Sequence, residues 1–86
     1  MASYNVVITK SAAKELERVP TKDRRRLVAR IWALAADPRP PGSEKLAGDE
    51  KYRVRQGDYR ILYQIADTDL IVTVVRIGNR RDVYRR

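Results

Sequence analysis

Hydrophobic and polar positions alternate most regularly in two short runs near the middle of the chain. The first is Lys51-Tyr52-Arg53-Val54-Arg55 and the second Tyr59-Arg60-Ile61-Leu62-Tyr63, with Gln56-Gly57-Asp58 between them. Period-two alternation around a Gly-Asp turn predicts a β-hairpin, because successive strand side chains point to opposite faces. Tyr52 and Val54 then share one face, while Arg53 and Arg55 share the other. Pairing across the hairpin can bring Arg60 to the arginine side, depending on register. Before the hairpin, residues 4–8 are rich in β-branched side chains and predict a first strand, with Thr9 placed to cap a helix starting at Lys10 or Ser11. Ala12, Ala13, Leu16 and Val19 recur at helical spacing until Pro20 ends the segment. Thr21 is the expected N-cap of a second helix reaching about Ala36, with Leu27, Val28, Ile31, Leu34 and Ala35 as its apolar stripe and Trp32 on its flank. Three prolines and a glycine make residues 37–43 a semi-rigid surface connection. After the hairpin, residues 66–69 form a turn. The run LIVTVVRI at 70–77 is the most strand-like of all, and its near-continuous apolarity predicts a central strand covered on both faces, or covered on one face by a partner.

Taken together the elements predict an α+β chain in the order β-α-α-β-β-β: an N-terminal strand, then a two-helix hairpin packed on one face of a four-stranded antiparallel sheet. Eighty-six residues suit a single domain over 1–86, one that buries roughly 60–65% of the surface its unfolded chain would expose. No repeat, linker or low-complexity block interrupts it.

Charge changes this picture. The chain is 43% hydrophobic and 35% charged, with a net charge of +8. Residues 1–50 hold ten bases against seven acids, while residues 51–86 hold nine against four, so the excess is concentrated where the strands are. Like charges on neighbouring strands repel, so three arginines on one sheet face gain nothing in folding and call for an anionic partner. Nucleic acid or an acidic protein leads, with an anionic membrane behind. The bland alternatives are a solvated helix face for residues 22–26, protection of an edge strand for Arg53 and Arg55, pairing of Arg60 with Asp58 or Asp82, and an ordinary solvated tail for Arg80 and Arg81.

Neither cysteine nor histidine occurs, which removes disulfides, thiolate nucleophiles and the usual transition-metal ligands. The acids are scattered without ligand-like spacing, so no metal and no other cofactor is expected. Without a signal-like start or an apolar run approaching a membrane span, a soluble, cytoplasmic protein with no membrane contact is expected. RNA cleavage is open to such a chain, because the nucleophile is the RNA's own 2′-hydroxyl. The protein must align that group, neutralise the phosphorane and help to move two protons. Guanidinium groups suit the first two tasks, since each donates to two phosphate oxygens and stays charged.

The pattern K-L-x-G-x-x-x-Y-R-V-R-x-G-x-Y-R-I-L-Y-Q-I at 45–65, followed by R-I-G-N-R-R-D-V-Y at 76–84, resembles the RelE/ParE superfamily of bacterial and archaeal toxins, and within it the RelE branch. The resemblance is specific over the last 42 residues and generic before them, where only the order of elements matches. It implies a RelE-like microbial ribonuclease architecture and a type II toxin that cuts mRNA in the ribosomal A site without metal. It also implies inhibition by a cognate acidic, RelB-like antitoxin. The family's second-strand basic pair falls on Arg53 and Arg55, and the arginine of its Tyr-Arg-x-x-Tyr run on Arg60. Its late arginine falls on Arg80 and its terminal tyrosine on Tyr84. By resemblance, Arg60 and Arg80 hold the scissile phosphate and Tyr84 stacks or assists proton transfer, these three being the catalytic set. Arg53 and Arg55 bind RNA, with Lys45, Lys51 and Arg81 as further RNA-binding candidates. In the best-known RelE pattern the second-strand pair is lysine, one of them assigned as general base. Arginine is a poor base, so the proton acceptor here is open among Lys51, Lys45, Tyr84 and a ribosomal RNA group. Two other functions compete. One is a ParE-like poison of DNA gyrase, which shares the Tyr-Arg-Ile-x-Tyr run. The other is a non-catalytic basic RNA-binding module, disfavoured because the tyrosines share a face with aliphatic residues.

Overall fold

The structure, a computed structural model, describes residues 3–46 and 51–79. Strand β1 (Asn5–Ile8) leads into helix α1 (Lys10–Glu17) and helix α2 (Thr21–Ala33), followed by strands β2 (Glu44–Lys45), β3 (Lys51–Gln56), β4 (Tyr59–Ala66) and β5 (Ile71–Asn79). Thr9 caps α1 as its sequence position predicts, its hydroxyl accepting from the Ala12 N–H at 3.2 Å. Helix α2 differs. Its N-cap is Pro20, which offers no side-chain acceptor, and Thr21 is already the first helical residue. The proline's fixed φ favours the extended cap conformation, so the helix starts one residue early without a side-chain cap.

The strands form one five-stranded sheet in the order β1-β5-β4-β3-β2. Two features depart from the expected four-stranded antiparallel sheet. Strand β1 pairs parallel to β5, from Asn5↔Ile71 to Ile8↔Val74, and the two-residue β2 adds an antiparallel edge beside β3. The parallel pairing follows from the connection, because the chain leaves β1, crosses through both helices and returns before β5 is made. Strand β2 is too short and too polar for a periodic signal. Its presence also means that β3 is covered beside Tyr52 and Arg53, so it is not the edge strand the sequence suggested. Strand β5 is interior, as expected, but buried on alternate positions, with one face against the helices.

That helix-facing side carries the core: Tyr52, Val54, Ile61, Tyr63, Ile65, Val72, Val74 and Ile77 from the sheet, packed on Ala12, Val19, Leu27, Ile31 and Leu34. Tyr63 is fully buried and donates to the Pro38 carbonyl at 2.7 Å, while its ring stacks on Tyr52 with centroids 5.9 Å apart. The Pro-rich connection is thereby fastened to the sheet.

Candidate nucleic-acid interface

Alternation places every second residue of β3 and β4 on the face away from the helices. The hairpin register pairs Lys51 with Gln64, Arg53 with Leu62 and Arg55 with Arg60. Lys51, Arg53, Arg55 and Arg60 therefore share one face. The turn sets this register: Gly57 adopts φ +61° between the paired residues Gln56 and Tyr59, a conformation open to glycine and strained for side-chain-bearing residues. On β5 the facing residues are Gly78 opposite Arg60 and Arg76 opposite Leu62, with a β-bulge at Leu62/Tyr63. Gly78 places no side chain beside Arg60.

The face is graded in exposure. Arg60 is buried, with 5% of its surface exposed, Arg53 is partly buried and Arg55 is exposed. Opposite Arg53 on β2 stands Glu44, whose carboxylate accepts from Arg53 Nη2 at 2.8 Å. Glu44 is held below the usual carboxylate range by the Arg53 hydrogen bond first, then by the charge of Arg53 and the more distant charges of Arg55 and Arg60. Three guanidinium groups thus lie within electrostatic reach of a single carboxylate. At the hairpin end a small recess of about 30 Å³ lies among Arg55, Gly57, Asp58, Tyr59 and Arg60. Arg55 is exposed at this recess while Arg60 is nearly covered, and the recess is far smaller than the few hundred Å³ of an enclosed small-molecule site.

Lys45 pairs with Tyr52 and so alternates to the helix side of the sheet edge, away from the arginines. Lys51 stays on the arginine face, one row along from Arg53. Arg80, Arg81 and Tyr84 lie outside the described residues. Three residues of this region escaped the sequence analysis. Arg76 was readable as the lone charge interrupting LIVTVVRI. Glu44 and Glu15 carry no local signal, because each meets its arginine, Arg53 and Arg76 respectively, only through tertiary pairing. Tyr63 is removed from proton transfer, since burial pushes its phenol up to about 12. Among the described residues no three potential metal ligands come together, and no helix is long and apolar enough to cross a membrane.

Comparison with known proteins follows the same lines. Residues 6–84 match the family described as ParE toxin of type II toxin-antitoxin system, parDE. Toxin RelG of Mycobacterium tuberculosis is 32% identical over 87 residues, spanning 96% of this chain and 98% of its own. The toxin–antitoxin complex RelBE2 of the same organism contains a chain of similar fold, with a TM-score of 0.83 at 27% identity, covering 95% of this chain and 97% of that one. The archaeal RelE–RelB complex of Pyrococcus horikoshii gives 0.83 at 29% identity, covering 93% and 98%. With the family matched over nearly its full length and a toxin relative above 30% identity, this chain belongs to the RelE/ParE family of type II toxin–antitoxin toxins.

Proposed function

We propose that this toxin is a ribosome-dependent endoribonuclease that cuts mRNA in the A site and so stops translation. The observation that carries the proposal is the shared face of Arg53, Arg55 and Arg60, with the last two directly opposite each other across the hairpin. Like charges so placed favour a bound phosphate. In the reaction, the 2′-hydroxyl gives up its proton and attacks the adjacent phosphorus, the P–O5′ bond breaks, and the departing 5′-oxygen takes up a proton, which by resemblance Tyr84 helps to deliver, so that the products are a 2′,3′-cyclic phosphate and a 5′-hydroxyl. Arg60 holds the scissile phosphate and neutralises the phosphorane, Arg80 joining it by resemblance, while Arg53 and Arg55 grip the backbone. Without histidine, the 2′-hydroxyl proton needs another acceptor. Glu44 is the carboxylate already on this face, and its arginine partner keeps it ionised and ready to accept, though as a weak base. Charge stabilisation therefore carries more of the rate than proton transfer. A RelB-like acidic antitoxin covering this face would silence it.

Primer extension on mRNA, with and without ribosomes, tests the reading. New 5′ ends are expected only when ribosomes are present. Arg55→Ala should lower the cleavage rate by roughly 10- to 10²-fold, the loss expected when the backbone beside the reacting phosphate is held less well, with its thermal midpoint close to that of the unaltered protein. The family model's own description favours a second reading, a ParE-like gyrase poison. Absence of cleavage together with arrested supercoiling by gyrase would select it.

A further inference from the structure

Strand β5 continues past the end of β1, whose pairing stops at Ile8↔Val74. Beyond that point the strand edge is finished by a side chain from α1. Glu15 Oε1 accepts the Ile77 N–H at 2.9 Å, and its other oxygen, Oε2, lies 3.5 Å from Arg76 Nη2. Both side chains are about a quarter exposed. Glu15 is rigidly placed, being three residues beyond the fully buried Ala12 on a helix whose start is fixed by the Thr9 cap. With one oxygen committed to a backbone N–H, the carboxylate cannot swing freely, so its second oxygen sets where the guanidinium rests.

Arg76 stands opposite Leu62, in the cross-strand row that continues through Arg53 to Glu44. Arg60 faces Gly78, two residues along β5, which makes Arg76 and Arg60 diagonal neighbours within reach of long side chains. Each end of the row is closed by an acid that holds an arginine, Glu44 on Arg53 and Glu15 on Arg76. The Glu15 contact is the looser of the two, at 3.5 Å against 2.8 Å. We propose that Arg76 is a further phosphate-contacting arginine of this face, binding the RNA phosphate next to the one at Arg60, and that Glu15 is its positioning residue. The proposal rests on the RNA-cleaving reading above.

A plain structural staple between α1 and β5 makes different demands, which a double-mutant cycle exposes. Single-turnover cleavage of ribosome-bound mRNA is measured well below the thermal midpoint for Arg76→Ala, Arg76→Lys, Glu15→Ala, Glu15→Gln and the double alanine variant. Arg76→Ala should slow cleavage by roughly 10- to 10²-fold, since loss of alignment at a reacting phosphate costs on that order. Arg76→Lys should recover little, because an ammonium lacks the bidentate fork. Glu15→Ala should slow the reaction about as much in the presence of Arg76 and add nothing in its absence. Glu15→Gln, which still accepts the Ile77 N–H, should keep the thermal midpoint and yet lose part of the rate. An unchanged rate for Arg76→Ala, or a Glu15→Ala loss that persists undiminished without Arg76, overturns the proposal while leaving the nuclease reading intact. Failure of the unaltered protein to cleave removes both.

Discussion

Asp67 shows how much one side chain can organise. Its carboxylate takes both Nη atoms of Arg39, at 3.1 and 2.8 Å, and the Tyr4 hydroxyl at 2.7 Å. Arg39 in turn donates from Nε to the Tyr52 hydroxyl and lies over the Tyr52 ring at 5.1 Å. The Arg39 hydrogen bonds, then that of Tyr4, lower Asp67 from 3.8 to about 2, whereas Tyr4 is raised, chiefly by donating to Asp67. A lowered carboxylate stabilises the fold above its unfolded pKa and loses that contribution as pH falls through the folded one. The raised phenol does the reverse, contributing below pH 10 and fading above it. Asp67→Asn should therefore melt at a lower temperature than the unaltered protein near pH 7, and the two should converge as pH drops from about 4 to 2. A gap that stays constant to pH 2 in thermal scans would refute the linkage. None of this was legible in the sequence, where Arg39 reads only as a residue of a proline-rich connection. A partner 28 positions away leaves no local trace.

Elements with a strong period were legible, and those held by tertiary pairing were not. The hairpin of β3 and β4, the core stripe of α2 and the interior place of β5 all follow from patterning. The arginine face follows too, because the alternation that buries Tyr52 and Val54 forces Arg53 and Arg55 outward. The parallel seat of β1 and the two residues of β2 do not, since both depend on which strand lies alongside. The apolar run at 70–77 places Leu70 at the start of the last strand. Leu70 instead closes the preceding turn at φ +55°, where a leucine is strained. Gly57 makes the hairpin's own demand testable. A methyl group there meets nothing within 4 Å, so Gly57→Ala acts through the backbone alone. Denaturant unfolding should show a loss of about 1–2 kcal/mol with an unchanged m-value. A neutral result would mean that the turn conformation does not set the register.

For the molecule as a whole, helices cover one side of the sheet and leave Arg53, Arg55 and Arg60 on the other, while the helices carry basic side chains of their own, so cationic groups are available on both sides. Binding to ribosomes should weaken with salt by about 0.7–0.9 in log–log slope per phosphate contacted. Removing one contacting arginine should lower that slope by about one. Sedimentation of the toxin with ribosomes across a salt series reads both numbers, and a flat response would contradict phosphate-led binding.

The neighbour of the first strand is the last of the five to be synthesised. During translation β1 and its helices therefore leave the ribosome with no central strand to close on, and only the arrival of β5 completes the ladder. Assembly is consequently late and rich in distant contacts, a topology associated with slow folding. A nascent chain is thus kept from presenting its completed sheet until that strand is available.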